Sequence, residues 1–239
     1  MEQRMADCIG VDGAKSGWIA VWRGQSGLAW RVHGDARGLV NARRHAAVIA
    51  VDVPIGLSDH GGRPAEREAR RFVGGRRACS IFSTPVRGIL DARTQPEASR
   101  RHRDIDGRGF GAQSFAILPK IREWDDLLRG DPQARRAVRE VHPEVSFAAL
   151  AGGAGQGIVA SKRKPAGVAA RRALLAVEFG EAMVGDLLQA VPRREAKADD
   201  VLDALVALWT AERIRNGVAC SLPAEVKPDA AGLDAVIWY

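Results

Sequence analysis

The run AAVIAVDVPIG, residues 46–56, is the most informative stretch of this sequence for the fold. It is continuously apolar and rich in β-branched residues, and Pro54 and Gly56 end it. A strand that is apolar on both sides is typical of the centre of a parallel sheet, because helices cover both faces there. The stretch therefore predicts an α/β protein with a buried, parallel central strand.

Three segments before this strand predict an antiparallel part of the same sheet. DCIGVD at 7–12 and WIAVW at 18–22 are separated by a loop that contains glycine, which is typical of a hairpin. LAWRVHG at 28–34 alternates and predicts a third strand. Helical patterns and one further short strand follow, and this order favours an α/β fold with a mixed sheet.

Residues 60–113 differ in composition from the rest of the chain. Between 63 and 108 there are twelve arginines and six acids, with several glycines and few large apolar residues. Pro64 stands where a helix could begin, and Gly74 follows its end. We expect an Arg-rich, partly helical surface insertion at about 60–113, within one domain that spans residues 1–239.

The second half of the chain has mainly helical patterns. Helices are predicted over 114–130, about 167–190 and 197–217. Asp199 or Asp200 is the expected N-cap of the last helix. VREVHPEVSFAAL at 138–150 begins as a strand and turns at Pro143.

Composition and charge exclude several classes of protein. No apolar run reaches the length of a membrane span, the start lacks a signal-peptide core, and three distant cysteines suggest reduced thiols. We therefore expect a cytoplasmic protein. The net charge is +7, with 30 Arg and 6 Lys, which favours a polyanionic partner, although a GC-rich coding sequence would also explain the arginines. Few aromatic residues argue against a base-stacking platform.

Two aspartates lie on predicted strands. Asp12 closes the first strand before a glycine, where either chemistry or an Asp-Gly turn would place an acid. Asp52 lies between two valines of the central strand. Burying a lone carboxylate costs on the order of several kcal/mol, so it needs a cation or donors. The donors could be backbone N–H groups near the strand end.

Further acids lie in the second half of the chain. Asp200 and Asp203 are three residues apart and share a face of the last helix. Two neighbouring carboxylates repel unless a cation lies between them, although Asp200 could cap the helix and Asp203 could pair with an arginine. Glu144 follows Pro143 and could equally belong to a surface turn.

Together these acids predict a divalent-metal site. Asp12, Asp52, Asp200 and Asp203 offer only oxygen ligands, which select Mg²⁺ or Mn²⁺ over Zn²⁺. Such a carboxylate cluster can hold ions that activate water and stabilise the leaving oxygen of a phosphodiester. With Glu144, they are the candidate catalytic residues of a nuclease.

Four runs in this order resemble a widespread prokaryotic family of unknown function whose members are described as predicted RNase H-like nucleases. They are GVDGAKSGW, AVDVPIGL, EVHPEVSFAAL with SKRKPAG, and ADDVLDALVALWTA. The resemblance implies the RNase H-like (retroviral-integrase-like) fold, a five-stranded mixed sheet with three antiparallel strands first and helices on its flanks. It also implies that Asp12 is the first-strand acid, and that Asp200 and Asp203 correspond to paired acids on the last helix of Holliday-junction resolvases.

The resemblance extends to basic residues and has two departures. Arg87 and Lys120 fall in shared segments; the candidate nucleic-acid-binding residues are Arg76, Arg77, Arg87, Lys120 and Lys162. Pro64 and Ala65 stand where the family often has Cys-Asp, and Gly111 stands near the place of a frequent serine. These departures concern the insertion, and the acids are retained.

Three functions remain open from the sequence. The first is a metal-dependent nuclease that hydrolyses DNA or RNA. The second is a nucleic-acid-binding protein that keeps the fold without catalysis. The third is a small actin- or hexokinase-like ATP-binding protein, because GVDGAKSG superficially fits a phosphate-binding turn, although only one such strand set is evident. The oligomeric state, including a homodimer, is left open.

Overall fold

The computed structural model describes residues 7–239, and a mixed five-stranded sheet forms its centre. The strands are β1 (Cys8–Ala14), β2 (Gly17–Gly24), β3 (Gly27–His33), β4 (Val48–Val51) and β5 (Val138–Glu140). Their order is β3-β2-β1-β4-β5, with β1, β2 and β3 antiparallel and with β4 and β5 parallel to β1. The predicted α/β class and mixed sheet are confirmed, and the topology is consistent with the RNase H-like fold.

Helices flank the sheet, and a small two-stranded sheet lies beside it. The helices are α1 (Ala36–Ala42), α2 (Pro64–Val73), α3 (Gln95–Asp106), α4 (Ala112–Gly130), α5 (Pro132–Ala137), α6 (Pro143–Leu150), α7 (Pro165–Phe179), α8 (Glu181–Ala190) and α9 (Ala198–Arg215). The small sheet pairs β6 (Ser221–Leu222) with β7 (Ile237–Trp238). No helix within residues 7–239 is long and apolar enough to cross a membrane.

Two details of the helix prediction are wrong. The helix expected over 167–190 is two helices, because Gly180 adopts a φ of 87° between α7 and α8 and breaks the helical path. The N-cap of α9 is Lys197, not Asp199 or Asp200. Asp200 lies in the first turn instead, where its side chain accepts a hydrogen bond from the Lys197 N–H at 2.9 Å.

The central strands are buried on both faces, which explains their continuous apolar sequence. On one face, Val11 and Val51 pack with residues of α1 and α4. On the other face, Cys8 and Ala50 pack with residues of α7, α8 and α9. Successive side chains of a strand point to opposite faces, so both sets must be apolar.

Helix α9 lies unusually close to β1. A Cβ atom built on Gly10 would lie 2.1 Å from the Ala204 carbonyl oxygen and 2.1 Å from the Leu208 nitrogen. Only a glycine leaves room for the helix backbone at this point. The close approach fixes where the first half of α9 lies along β1.

The segment 60–113 contains α2, α3 and two short 3-10 turns at Ala78–Ser80 and Arg87–Ile89. Helix α2 contributes Ala69 and Val73 to a third apolar cluster, against Val145 and Ile237. The segment is therefore partly helical and packs on α6 and on the last strand.

Candidate functional site

The parallel pairing of β1 and β4 places Asp12 and Asp52 side by side. Val11 pairs with Val51, and the Asp52 N–H donates to the Val11 carbonyl at 3.0 Å. Ala50, two residues before Asp52, packs on the α9 side of the sheet. Because side chains alternate, Asp12 and Asp52 also point to that side.

Helix α9 brings a third carboxylate to the same place. Asp203 directly precedes Ala204, whose carbonyl meets Gly10 of β1, and Asp203 is only 1% exposed. The charges of Asp52 and Asp203 both act on Asp12. We call Asp12, Asp52 and Asp203 the acid cluster.

Burial and mutual repulsion make negative charge unfavourable in the acid cluster. Burial is the largest effect that holds the pKa of Asp12 well above its usual value, and the charges of Asp52 and Asp203 add to it. Burial raises the pKa of Asp203 to about 7 against the opposing effect of Lys162. Asp200 is partly buried nearby, and its pKa is raised, mainly by burial.

Most oxygens of the acid cluster have no protein partner. Neither the Asp12 nor the Asp52 carboxylate makes a hydrogen bond or an ion pair with any part of the chain between residues 7 and 239. Asp203 accepts a hydrogen bond from the Lys162 ammonium through Oδ2, whereas its Oδ1 is buried without a partner. Buried carboxylate oxygens are normally satisfied, so Asp203 Oδ1 points to a missing positive ligand.

Two lysines reach the surroundings of the acid cluster. Burial lowers the pKa of Lys162, but the charges of Asp203, Asp12 and Asp52 outweigh it and hold that pKa above its usual value. Lys120 donates to the Gly17 carbonyl at 2.7 Å and to the Ala14 carbonyl at 3.3 Å. Its ammonium lies 4.2 Å from the ring centre of Trp18.

The donor chemistry of the acid cluster fits a hard divalent cation. The acid cluster offers a cation only carboxylate oxygens, which Mg²⁺ and Mn²⁺ prefer. One of them, Asp203 Oδ1, is a buried acceptor without a hydrogen-bond donor. Across residues 7–239, however, no three His, Cys, Asp or Glu side chains already stand in the arrangement of a metal shell. In this structure the cation in contact with the acid cluster is the ammonium of Lys162.

The comparison with protein families gives one match. The family described as "Protein of unknown function (DUF429)" matches residues 10–228, which is most of the chain and includes the whole acid cluster. The chain belongs to this DUF429 family. No curated protein and no solved structure matches it.

Glu144 of this DUF429 protein lies next to the acid cluster in a separate group of charges. Its Oε1 accepts a hydrogen bond from Arg171 at 2.7 Å and forms an ion pair with Arg77 at 2.7 Å, whereas its Oε2 is buried without a partner. Its N–H donates to His142 Nδ1 at 3.2 Å in the first turn of α6. Its negative charge still acts on Asp203. The structure therefore places Glu144 as the partner of two guanidinium groups.

The predicted nucleic-acid-binding residues have different surroundings. Arg77 is engaged with Glu144, and Arg87 forms ion pairs with Asp125 and Asp229. Arg76 is exposed. Arg67 and Arg71 of α2, which are not among the five predicted residues, are also exposed, and none of the three exposed arginines forms an ion pair within the described chain. Arg67 and Arg71 lie on α2 and Arg76 lies in the turn that follows it, and we call these three residues the α2 arginines.

A second buried charge cluster was not predicted. Arg63 is buried and pairs with Glu66 of the first turn of α2 and with Glu140 of β5. Glu140 also accepts from the Ile55 N–H at 2.6 Å. This cluster ties the beginning of the insertion to the ends of β4 and β5. The sequence signal was Glu140, an acid within the strand predicted from VREVHPEVSFAAL.

Proposed function

We propose that this DUF429 protein is a cytoplasmic, divalent-metal-dependent nuclease that hydrolyses phosphodiester bonds of DNA or RNA. The observation that carries the proposal is the acid cluster: β1, the end of β4 and α9 each contribute one aspartate, and two of these carboxylates have no partner between residues 7 and 239. Asp12, one of the two, is buried, and a protein that only needed a stable core would lose free energy by burying a carboxylate without a partner. The free thiols of all three cysteines agree with a reducing compartment.

Asp12, Asp52 and Asp203 would hold Mg²⁺ or Mn²⁺. When bound, such an ion activates water and stabilises the leaving oxygen of a phosphodiester. The sheet keeps Asp12 and Asp52 in fixed register, and the contact of α9 with Gly10 fixes Asp203 relative to them. Asp200, partly buried on the same helix, is a further carboxylate whose charge acts on Asp12 and that could complete the ligand set.

The substrate class follows from charge. The net charge of +7 and the exposed α2 arginines favour a polyanion, and guanidinium groups bind phosphate in a bidentate geometry. Such contacts go to the backbone and do not read bases, so they favour nucleic acid in general over one sequence. Arg77 and Arg87 have carboxylate partners inside the protein and are not part of this surface.

The test is cleavage by the purified full chain in Mg²⁺ or Mn²⁺. The substrates are single- and double-stranded DNA, single-stranded RNA, an RNA–DNA hybrid and a branched DNA. We expect cleavage of at least one substrate, its loss in EDTA, and a decrease of about 100-fold or more in Asp12→Asn. The matched control is Asp186→Asn, which changes an exposed aspartate on α8.

Two results would overturn the proposal: no cleavage of any of these substrates, or wild-type cleavage by Asp12→Asn. Retention of nucleic acid without cleavage would favour the non-catalytic binding protein instead. Tight ATP binding in the absence of either activity would favour the ATP-binding alternative.

A further inference from the structure

Lys162 forms an ion pair with the most buried member of the acid cluster. Its ammonium donates to Asp203 Oδ2; the lysine side chain is 35% exposed and the aspartate side chain 1%. The charges of Asp12 and Asp52 also act on this ammonium. One lysine head group therefore interacts with all three carboxylates, while part of the side chain remains open to solvent.

The backbone holds Lys162 in this position. The Lys164 N–H donates to the Ser161 carbonyl at 2.9 Å, which closes a turn around Lys162 just before α7. The buried Arg171 donates to the Ala160 carbonyl at 3.2 Å. A Cβ on Gly167 would lie 2.0 Å from the Ser161 carbonyl oxygen, so the turn is packed tightly on α7. The lysine thus projects from an ordered turn.

We propose that Lys162 is a built-in counter-ion that holds the acid cluster in the metal-free protein, and that a divalent ion binds by displacing it. The identity of the incoming ion rests on the function proposed above. Displacement frees Asp203 Oδ2 and leaves both oxygens of Asp203 available as ligands. The ammonium can move into solvent without unfolding, because its side chain is already partly exposed.

This arrangement lowers the affinity for metal in a defined way. A protein whose binding-competent state is only a fraction of the population shows an apparent affinity reduced by that fraction. If the lysine occupies the acid cluster most of the time, its removal increases the apparent affinity. The metal-free protein, in turn, depends on Lys162 to offset the repulsion of the carboxylates.

The first experiment measures Mn²⁺ binding by titration calorimetry to the full chain and to two variants. Lys162→Met keeps the length of the side chain and removes its charge, and we expect it to bind Mn²⁺ about tenfold more tightly than the wild type. Lys164→Met is the matched control. It removes the same charge two residues away, from an exposed lysine that has no ion pair within residues 7–239. We expect a change of less than about twofold for Lys164→Met, since an exposed charge is screened.

The second experiment uses the unmodified protein, so it does not depend on the folding of a variant. An amine-acylating reagent is applied with and without Mn²⁺, and modification of each lysine is followed by peptide mass spectrometry. We expect Lys162 to react slowly in the metal-free protein and several-fold faster with Mn²⁺. Lys227, a largely exposed lysine paired with Glu225, is the internal reference and should not change.

The outcomes separate this inference from the proposed nuclease activity. Mn²⁺ binding that is equal or weaker in Lys162→Met, or unchanged labelling of Lys162 when Mn²⁺ binds, overturns the displacement. Displacement without cleavage of any nucleic acid leaves the counter-ion inference standing and overturns the nuclease. Absence of Mn²⁺ binding in both the wild type and Lys162→Met overturns both.

Discussion

Arg171 is completely buried and donates from Nη2 to Glu144 Oε1 across 2.7 Å. Arg77, from the insertion, forms an ion pair with the same oxygen across 2.7 Å. One carboxylate thus pairs with two guanidinium groups, one from α7 and one from the segment that follows α2. This relationship gives Glu144 a structural role that a turn residue would not have.

Replacement of Glu144 by Gln should destabilise the protein and leave metal binding intact. The change leaves Arg171 charged and buried without a carboxylate, which costs about 3–5 kcal/mol. Urea unfolding measures the loss, and Mn²⁺ titration measures binding. Glu178→Gln, an exposed change on the same helix as Arg171, is the control. A stable Glu144→Gln that no longer binds Mn²⁺ would instead identify Glu144 as a metal ligand.

Replacement of Gly10 by Ala should separate α9 from β1. The added methyl group would lie 2.1 Å from backbone atoms of Ala204 and Leu208, which cannot move without the helix. Overpacking of this kind costs about 1–3 kcal/mol or more. The measurement is the free energy of unfolding. Gly34→Ala, with nothing within 4 Å of its Cβ position, should be nearly neutral, and equal effects of the two changes would contradict the prediction.

The buried Arg63 cluster should make stability depend on pH near neutrality. Burial raises the pKa of Glu140 to about 7 against the opposing effect of Arg63. A carboxyl group with a raised pKa in the folded state favours folding while it is protonated, and that contribution is lost as the pH rises through its folded pKa. The wild type should therefore lose stability between about pH 4.5 and about pH 7 relative to Glu140→Gln, which does not titrate.

Parallel urea unfolding curves of the wild type and Glu140→Gln, from pH 4 to pH 8.5, measure this difference. The rise in the pKa of Glu140 from 4.5 to about 7 corresponds to a change of about 3 kcal/mol in the free energy of unfolding. The difference should be constant below the unfolded pKa and again above about pH 7.5. A difference that stays constant across the whole range would show that Glu140 does not titrate there.

The α2 arginines should contribute to nucleic-acid binding through phosphate contacts. A triple Arg→Gln change of Arg67, Arg71 and Arg76 should weaken binding to all sequences alike. It should also reduce the slope of log K against log salt by about 2–3 for duplex DNA. Fluorescence anisotropy at several salt concentrations gives the slope. The control set has the same charge change at exposed arginines outside the insertion: Arg31, Arg37 and Arg193. Equal loss in both sets would show that only net charge matters.

The sheet and the acid cluster could be predicted from the sequence because they depend on local patterns. The apolar run at 46–56 predicted a strand covered on both faces. Asp12 was expected to close the first strand; β1 instead continues to Ala14, but Asp12 still meets Asp52, which directly follows β4, because β1 and β4 are parallel neighbours. Asp203 stood out as a single charge in an apolar helix. In each case the repeat of the strand or helix determines which face of that element the side chain lies on.

The partners of the charged residues could not be predicted in the same way. Arg87 finds Asp125 and Asp229, which lie far from it in sequence, and no local spacing relates them. Whether an arginine binds a carboxylate or remains exposed is decided by tertiary packing. Gly180 illustrates a second limit: a glycine within a helical pattern is tolerated at a modest cost, and only its φ of 87° shows that the helix ends there.

The position of α9 over β1 also bears on how the protein is made. The first two aspartates are present once the amino-terminal strands have been synthesised, but Asp203 leaves the ribosome about 150 residues later. Until α9 docks over Gly10, a nascent chain has no complete acid cluster. The capacity to bind a divalent ion should therefore arise late in translation, and a chain that stops before α9 should lack it.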